Sequence, residues 1–394
     1  MKNFLKMIFI VLLFGLLFSA CTPSPEYLKK KQREHSYDNN YIRVLTSVES
    51  LKFTVSSAGG LRVIDKNSSR MVYETRKGGL VFHPEKITTP YIIESAGEPV
   101  FINDKGYRGK FELHNLLGKI HVVNVINVEQ YLYSVVPSEM PASWHIEALK
   151  AQAVAARTYT YYHLSNRNNT RAIYEVDSTT NFQVYKGIES ENPSTTKAVQ
   201  DTTGIIMTYQ HEPILAYFHS SSGGKTIEGK YVWKGSDLPY IRGVKCDYDK
   251  DSPHYQWTVT LPIDEITLAV KSKYPRMAKI NSISFKRHDD RVVEVSIVHS
   301  GGNITLTGNE FRLLFPASKV RSTYFSSEKK GDSLVLNGRG WGHGVGMSQW
   351  GAKGRGEKGY NFEQILSHYF YRIKFTKIRN NYVAQKKRSA NFVN

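Results

Sequence analysis

The chain has 394 residues, with 53 lysines and arginines against 35 aspartates and glutamates, so its formal net charge is +18. This excess of cations predicts an acidic partner, but no nucleic-acid-binding motif is present, so nucleic acid is not an expected partner. Anionic lipid head groups or the acidic polymers of a bacterial envelope fit the charge better.

The N-terminal segment has the features of an export signal. Lys2 and Lys6 precede an apolar run over residues 7–18, which is shorter than the roughly 20 residues that a membrane-spanning helix needs. The following Ser-Ala-Cys resembles a bacterial lipobox, in which cleavage falls before the cysteine, here Cys21, and lipid is attached to it. The alternative is an ordinary signal peptide with a chance cysteine. We predict a lipoprotein signal peptide over residues 1–20.

The polar, basic segment over residues 21–40 predicts a flexible tether between the lipid and the folded part. A second basic segment over residues 377–394 predicts a C-terminal tail. The other cysteine of the chain is Cys246. If Cys21 carries lipid, no intramolecular disulfide can form, so the fold must depend on its hydrophobic core.

Short alternating stretches bounded by Gly, Asn, Asp or Lys dominate residues 41–127. Such stretches are typical of strands and turns, and they predict a β-rich N-terminal part. We expect hairpin turns at Gly59-Gly60 and at Asp104-Lys105-Gly106.

An alanine-rich segment then predicts one long helix, with Ser143 as its N-cap, Glu147 in its first turn and its end near Ser165. Shorter helices are predicted over residues 194–201, 263–274, 308–315 and 363–370. Strand patterns lie between them. The predicted fold class is α+β: a mixed, β-rich ectodomain with one long central helix and a substrate cleft.

A carboxylate stands directly before the long helix. The stretch VVPSEMP places Glu139 between Pro137 and Pro141, which predicts a rigid turn. In a cleft with apolar walls, such a carboxylate would have a raised pKa and could act as a general acid. The alternative is a solvated carboxylate in a turn.

The stretch YFHSSSGG places His219 beside three serines. It lacks the Gly-x-Ser-x-Gly elbow of serine hydrolases, and adjacent residues of a strand point to opposite faces. A polar strand end that lines a cleft is therefore favoured over a nucleophilic serine.

The stretch GRGWGHGVGMSQWG contains six glycines in fourteen residues and does not match the nucleotide-binding loops. Its tryptophans, Trp341 and Trp350, could stack on sugar rings beside the glycines. They could equally belong to the core of a tightly packed glycine loop.

Together the three motifs VVPSEMPASWHIEALKAQAVAARTY, YFHSSSGGKTIEGKYVWKG and GRGWGHGVGMSQWGAKGRGEKGYNFEQIL resemble the family of stage II sporulation protein D and the amidase enhancer. The resemblance extends over about residues 41–375 and assigns residues 128–376 to a catalytic core. It implies a lytic transglycosylase that cleaves peptidoglycan between N-acetylmuramic acid and N-acetylglucosamine and closes a 1,6-anhydro ring.

The resemblance implies that Glu139 is the catalytic acid and base, and that Arg157 is a second catalytic residue that holds Glu139 or the substrate. The predicted substrate-binding residues are Tyr161, Tyr217, His219, Ser221, Trp341, His343 and Gln349. Some members of the family bind zinc through a Cys/His cluster after the main helix. Here Val176, Asn181 and Phe182 stand at those positions, so no metal is expected, and no other cofactor.

The expected partners are peptidoglycan glycan strands without stem peptides, a cell-wall amidase and, through the lipid anchor, a membrane of the cell envelope. A second interpretation keeps the fold but removes the catalysis. In it, the protein is a module that binds peptidoglycan and activates an amidase. Sporulation enzymes and amidase enhancers share these motifs, so the sequence leaves both interpretations open.

Overall fold

The structure, a computed structural model, describes residues 40–166, 172–179 and 182–378. Its mixture of helices and sheets confirms the predicted α+β class. The predicted signal peptide, Cys21, the tether up to residue 39 and the tail beyond residue 378 lie outside the described residues. Among the helices that are described, none is both long and apolar enough to cross a lipid bilayer.

Ten of the described strands precede the first described α-helix, so residues 41–127 are rich in β-structure. They are β1 (Tyr41–Glu49), β2 (Phe53–Ser57), β3 (Leu61–Asp65), β4 (Met71–Thr75), β5 (Gly78–Phe82), β6 (Tyr91–Glu94), β7 (Val100–Ile102), β8 (Lys105–Tyr107), β9 (Lys110–Leu116) and β10 (Lys119–Asn127). A later strand, β11 (Val176–Asp177), joins a seven-stranded sheet in the order β11-β1-β10-β9-β6-β3-β4, and the other four form a sheet in the order β5-β2-β7-β8.

The two predicted hairpin turns have different outcomes. Strands β7 and β8 pair antiparallel, which confirms a hairpin there. Its turn is centred on Asn103 and Asp104, whose φ angles of 45° and 69° lie in the left-handed region that Asn and Asp tolerate. The prediction of a hairpin turn at Gly59-Gly60 is wrong. Strand β2 pairs with β5 and β7 whereas β3 pairs with β4 and β6, so the chain changes sheets at these glycines.

Helix α1 (Val128–Glu139) follows β10 directly and was not predicted. The side chain of Asn127 caps it by accepting a hydrogen bond from the Glu129 N–H at 2.9 Å. The prediction that Glu139 lies in a rigid turn is therefore wrong, because Glu139 is the last residue of α1 and Pro137 lies inside the helix. A proline removes one helical hydrogen bond. Here it does so in the last turn, and the helix ends two residues later.

Helix α2 (Ile146–Ser165) is the predicted long helix, and its end at Ser165 is confirmed. The predicted N-cap is wrong. Trp144 N–H donates to the Pro141 carbonyl, which places Ser143 in a turn, and the Nδ1 atom of His145 accepts from Glu147 N–H at 3.3 Å. Of the 20 residues in α2, 13 are buried, so the helix packs on several sides and its alanines allow the close approach of its neighbours.

The remaining helices are α3 (Pro193–Asp201), α4 (Ile263–Lys273), α5 (Gly308–Leu313), α6 (Gln349–Glu357) and α7 (Phe362–Tyr369). The four predicted short helices are confirmed within two residues at each end, and α6 was not predicted. The remaining strands are β12 (Ile205–Tyr209), β13 (Glu212–Pro213), β14 (Phe218–His219), β15 (Gln256–Pro262), β16 (Ile280–His288), β17 (Arg291–His299), β18 (Gly302–Thr307), β19 (Phe325–Lys330), β20 (Ser333–Arg339), β21 (Met347–Ser348) and β22 (Lys374–Lys377).

Helix α6 begins inside the motif that reads as a glycine-rich loop. At Gly351 an added Cβ atom would lie 2.1 Å from the Tyr369 hydroxyl oxygen and 2.5 Å from the Cys246 sulfur. Glycine is needed here because α6 approaches α7 and the Cys246 segment too closely for a side chain. In this helix the glycines that suggest a loop serve close packing instead.

Two hydrophobic clusters support the chain from α2 onward. One surrounds α2 and includes Leu149, Met207, Val345 and Leu366. The other lies among α4, α5 and two three-stranded sheets, ordered β15-β20-β19 and β16-β17-β18.

Arg157 joins three helices through one fully buried guanidinium group. Its Nε and Nη2 atoms donate to the two carboxylate oxygens of Glu129 on α1 at 2.8 and 2.7 Å. The remaining N–H groups donate to the carbonyls of Val199 and Ile205 at 3.1 and 3.2 Å and to the Thr202 hydroxyl at 3.4 Å. All five donors are satisfied, so this ion pair holds α1 and the end of α3 against α2.

We expect Glu129→Gln to lower the free energy of unfolding by about 3–5 kcal/mol, because it leaves the Arg157 charge buried without its counter-charge. Urea unfolding of the purified protein would measure this. Lys197→Met is the matched control, since it breaks the ion pair with Asp201 on α3 and leaves the exposed lysine position, 66% exposed, without a charge. The control should cost less than about 1 kcal/mol. An equal loss of unfolding free energy in the two variants would contradict the conclusion that the Arg157–Glu129 pair holds the three helices together.

Candidate active site

A cavity of about 380 Å³ lies where the three sequence motifs meet. Among the described residues, the cavity combines a single carboxyl group with aromatic rings and small polar groups. Its lining residues are Glu139, Tyr159, Phe182, Val184, Tyr217, Phe218, His219, Ser220, Trp233, Trp341, Gly342, His343 and Gln349. Six of the nine residues predicted as catalytic or substrate-binding are among them.

Backbone pairing brings the second and third motifs together. Strands β14 and β21 pair in parallel, with Phe218 opposite Met347 and His219 opposite Ser348. Beyond this pair, Ser221 and Trp341 exchange two backbone hydrogen bonds, at 3.0 and 2.8 Å. The stretch between these two pairings carries the side chains that line one wall of the cavity.

The glycines of the third motif allow this pairing. Gly346 has a φ of 70°, and a Cβ atom placed on it would lie 2.1 Å from the Tyr217 carbonyl oxygen. Any side chain at this position would push the third motif away from the second, so glycine is required there by both backbone conformation and space.

Glu139 enters the cavity from the end of α1 and is half-buried. Its Oε1 atom accepts from Val184 N–H at 3.3 Å, and its Oε2 atom accepts a long contact from Gln349 Nε2 at 3.5 Å. Burial raises the pKa of Glu139, while the two hydrogen bonds and the charge of Lys186 act in the opposite direction and only partly offset it. The carboxyl group therefore holds a proton to a higher pH than an exposed glutamate.

Gln349, the first residue of α6, links Glu139 to the long helix. Its Nε2 atom also lies 3.5 Å from Oε1 of Gln152, a fully buried residue of α2. The amide N–H of Gln349 can therefore donate a hydrogen bond to Glu139 whether the Glu139 carboxyl group is protonated or ionised.

Two histidines on the cavity wall, the buried His219 and the half-buried His343, are neutral. Nε2 of His343 donates to the Phe218 carbonyl at 2.9 Å, and its Nδ1 accepts from Val345 N–H at 3.1 Å. Burial, with Arg312 as the next cause, lowers the pKa of His343 to about 3. His219 donates from Nδ1 to the Val345 carbonyl at 3.1 Å, and burial lowers its pKa well below the usual range. These contacts fix the ring positions, while burial lowers the pKa of both histidines and keeps them neutral at neutral pH.

Aromatic rings form much of the remaining wall. Tyr217 stacks on Trp233 with ring centroids 4.6 Å apart and an interplanar angle of 27°. Trp233 also lies 5.0 Å from the His343 ring, and Tyr159 lies 6.1 Å from Tyr217. Flat aromatic faces next to a carboxyl group suit the binding of a sugar ring.

Two predicted site residues on α2 do not line this cavity. Arg157 does not contact Glu139, and the prediction that it holds Glu139 or the substrate is wrong. The carboxylate of Glu129, two backbone carbonyls and the Thr202 hydroxyl occupy all of its donors. Tyr161 is 3% exposed, and burial, with the nearby charge of Glu129 as the next cause, raises its pKa. It lies on the Arg157 side of the helix, whereas Tyr159 is the tyrosine of α2 that reaches the cavity.

Ser221 also lies outside the cavity lining. Its hydroxyl donates to Oδ2 of the buried Asp249 at 3.2 Å, and the same oxygen accepts from the N–H groups of Ser222 and Gly223 at 2.8 and 3.0 Å. The expected contact of Ser221 with substrate is therefore wrong. The serine holds the turn after β14, and its neighbour Ser220 lines the cavity instead.

Several lining residues were not predicted, among them Tyr159, Phe182 and Trp233. Helical spacing could have indicated Tyr159, which lies seven residues after Gln152 and so on the same face of α2. No local pattern marks Phe182 and Trp233, since separate loops bring them to the wall.

Across the described residues, no group of three or more His, Cys, Asp and Glu side chains is placed to hold a metal ion. At the positions where zinc ligands occur in some family members, Val176 is buried and Phe182 lines the cavity. The third position, Asn181, lies outside the described residues.

Comparison with known families gives two matches along the chain. A family described as stage II sporulation protein matches residues 117–209, which include Glu139 and Arg157. A family described as a domain of unknown function matches residues 243–346, which include Trp341 and His343.

Three relatives resemble much of the chain. An uncharacterized protein of Brachyspira hyodysenteriae is 33% identical over 344 residues, which cover 86% of this chain and 85% of the relative. Stage II sporulation protein D of Bacillus subtilis is 33% identical over 280 residues, covering 67% of this chain and 79% of the relative. The amidase enhancer of Bacillus subtilis is 32% identical over 289 residues, covering 61% of this chain and 39% of that protein.

The raised pKa of Glu139 predicts a pH-dependent effect on stability. The folded-state pKa lies above the unfolded value, so wild-type stability relative to a permanently neutral side chain falls as pH rises through the folded pKa. Glu139→Gln should therefore have the same melting temperature as wild type at about pH 4 and a higher one at about pH 8. Calorimetry across this range would measure the difference.

Glu98→Gln is the matched control, because Glu98 is exposed in a loop. Its melting temperature should follow that of the wild type at both pH values. If Glu139→Gln is instead destabilised more at the higher pH, the carboxylate is stabilised by the fold and cannot store a proton for catalysis.

Proposed function

Because the chain belongs to the stage II sporulation protein D family, we propose that it is a lytic transglycosylase acting on peptidoglycan. The bond cleaved is the glycosidic bond between N-acetylmuramic acid and N-acetylglucosamine. The observation that carries the proposal is a single carboxyl group, Glu139, with a raised pKa on the wall of an aromatic cavity.

The number of carboxyl groups in the cavity favours a lytic transglycosylase over a hydrolase. Hydrolases that cleave glycosidic bonds mostly use two carboxylates on opposite sides of the bond, one of which activates water or attacks the sugar. Glu139 is the one acidic residue among the described residues that line the cavity. A lytic transglycosylase needs only one such group, because the 6-hydroxyl of the sugar takes the place of water.

Glu139 acts twice in the proposed cycle. Its protonated form donates the proton to the glycosidic oxygen, and the bond from that oxygen to C1 of N-acetylmuramic acid breaks, so N-acetylglucosamine leaves as an alcohol. The resulting carboxylate accepts the proton of the 6-hydroxyl, whose oxygen forms the new bond to C1. The 1,6-anhydro ring closes, Glu139 is protonated again, and no water is consumed. The acetamido group of the substrate can ease the positive charge that develops at C1.

The surroundings of Glu139 suit both halves of the cycle. Burial supports the protonated form that starts the reaction. Val184 N–H and the Gln349 amide then face the carboxylate that proton donation creates. Arg157, which would depress the pKa from close range, has its charge paired with Glu129 instead.

The cavity wall supplies sugar-binding surfaces. Tyr217, Trp233 and Trp341 present aromatic rings, and His343 ties the third motif to the Phe218 carbonyl of the second. We place the sugar rings on either side of the cleaved bond against these faces.

The proposal extends to location and partners. A lipid-modified Cys21 would hold the folded part in the cell envelope, and the net charge of +18 would favour anionic surfaces and polymers there. The substrate in this proposal is a glycan strand whose stem peptides have been removed, and a cell-wall amidase is the partner that removes them.

A second candidate function is supported by the name of one relative, the amidase enhancer. In this alternative the same cavity binds glycan strands without cleaving them, and the protein activates an amidase. Glu139 would then contribute to binding alone.

Incubating the purified protein with glycan strands that lack stem peptides tests the proposal. Mass spectrometry should detect strands ending in 1,6-anhydro-N-acetylmuramic acid. Glu139→Gln should lower their rate of formation by about 10²–10⁴-fold, the usual contribution of a general acid–base group.

Trp350→Phe serves as a control, because the Trp350 ring packs on Trp144 with centroids 4.9 Å apart and does not line the cavity. It should retain most of the activity. A folded wild-type protein that binds strands but releases no anhydro product would favour the amidase-activating alternative.

The pH dependence of kcat/KM should report one ionisation from the site. Activity should fall as pH rises through the raised pKa of Glu139, because the first step needs its proton. His343, with a pKa lowered to about 3, and His219, with a lowered pKa, stay neutral and should add no inflection between about pH 6 and 8. A rate that rises over this range would contradict an acid role for Glu139.

A further inference from the structure

A second and larger cavity, of about 740 Å³, opens on the sheet β15-β20-β19 beside the turn between β16 and β17. Arg287 and Arg339 line it, together with Tyr324. Both arginines are exposed, and Asp290 is the one acidic residue among the described residues of the wall. The cavity has polar groups of strand ends and an excess of positive charge, and the reaction proposed above does not use it.

This cavity adjoins the Glu139 cavity along the chain. Gly338 and Arg339 line the larger cavity, while Trp341 and His343 line the smaller one, so only Gly340 separates the two lining segments. The segment that carries Arg339 on the wall of the larger cavity is therefore directly continuous with the segment that carries Trp341 on the wall of the smaller one.

A third arginine lies beside Trp341. The guanidinium carbon of Arg321 lies 5.5 Å from the centre of the Trp341 ring, and one of its terminal nitrogens lies 3.3 Å from Nδ1 of His254. His254 packs on the edge of the same tryptophan, with centroids 4.1 Å apart. Arg321 is thus held next to a ring that lines the Glu139 cavity.

None of these three arginines forms an ion pair with a carboxylate among the described residues. Arg287 makes only long hydrogen bonds, at 3.4 Å to the Phe325 carbonyl, 3.5 Å to the Phe285 carbonyl and 3.4 Å to the Ser327 hydroxyl. Arg339 lies 5.8 Å from the Tyr324 ring centre. By contrast, the buried Arg157 has a bidentate carboxylate partner. Arg287 and Arg339 are exposed and Arg321 is half-buried, and their guanidinium groups retain donors for an anionic ligand.

We propose that Arg321, Arg339 and Arg287 form a subsite that binds the free lactyl carboxylates of glycan strands, and so selects strands without stem peptides. This inference rests on the proposed function. Each N-acetylmuramic acid carries a lactyl carboxyl group, which is tied up in an amide while the stem peptide is attached. Removing the peptide exposes one carboxylate per disaccharide, at regular spacing along the strand. Guanidinium groups match carboxylates in geometry and can bind them through two parallel hydrogen bonds.

The subsite would let the protein select glycan strands by the charge of their lactyl groups as well as by the size of the attached peptides. A strand with its peptides attached offers no lactyl carboxylate to the arginines. A bare strand offers one lactyl carboxylate next to the catalytic cavity and another further along the strand. The arginines that bind these carboxylates would therefore bind bare strands more tightly than intact ones.

The test compares two substrates that differ only in the carboxyl group. Glycan strands without stem peptides are used as such, or after carbodiimide coupling of their lactyl carboxyls to methylamine. Binding is measured in the Glu139→Gln background, so that strands are not consumed. Adding Arg321→Gln and Arg339→Gln should weaken binding of the free-carboxyl strands about tenfold and that of the amide strands less than about twofold.

The matched control is Arg276→Gln, since Arg276 is exposed and lines a different cavity. It should change neither affinity, and thermal unfolding of all variants would verify their folding. Equal weakening for the two substrates, or no weakening for either, would overturn the proposed subsite.

The same experiment separates this inference from the proposed catalysis. If wild-type protein forms no anhydro product but shows the carboxyl-dependent binding, the catalytic proposal fails and the subsite stands. If anhydro product forms and the arginine variants bind and cleave both substrates like the wild type, the subsite fails and the catalytic proposal stands.

Discussion

The buried ion pair between Arg157 and Glu129 is the interaction on which the geometry of the site depends. It holds α1 and α2 together and reaches the end of α3 through backbone carbonyls. Because Glu139 is the last residue of α1, its position in the cavity follows from how α1 is held. The pair also neutralises the guanidinium charge of Arg157 with the carboxylate of Glu129. A strong cation beside Glu139 would lower its pKa. The contacts of Val184, Gln349 and Lys186 also lower it, but by less than burial raises it, so the pKa stays raised.

The cavity is consequently poor in fixed charge, which is the condition that a general acid needs. His219 and His343 are held neutral by burial and use their ring nitrogens on the backbone of the second and third motifs. These histidines shape the wall without adding positive charge that would favour the carboxylate. The fold accepts an energetic cost for this arrangement, since a half-buried carboxyl group that ionises at neutral pH lowers stability.

Cations gather instead outside the catalytic cavity, around Trp341 and on the sheet β15-β20-β19. The division is physically sensible for a long polymer substrate. In the proposed function, these arginines attract and orient an anionic strand without contributing to the pKa of Glu139, while the aromatic wall binds the sugars near the bond to be cleaved. The glycine-rich segment joins the two regions, so the proposed orienting surface is covalently continuous with the proposed sugar-binding surface.

Local patterns in the sequence were sufficient for the strands of residues 41–127, for the end of α2 at Ser165 and for four short helices, because periodicity and capping act within a few residues of the chain. They also drew attention to Glu139, Trp341 and His343, whose neighbours in sequence are unusual. Helix α6 could not be read in this way, since Gly351 is explained only by Tyr369 and Cys246 packing against it. Nor could the partner of Arg157, which lies 28 residues away, or the exclusion of Ser221 by Asp249. By itself the sequence determined which segments form helices and strands and which motifs carry unusual residues. The tertiary structure alone decided which of those residues share a cavity, because burial and the choice of hydrogen-bonding partner depend on segments that meet only after folding.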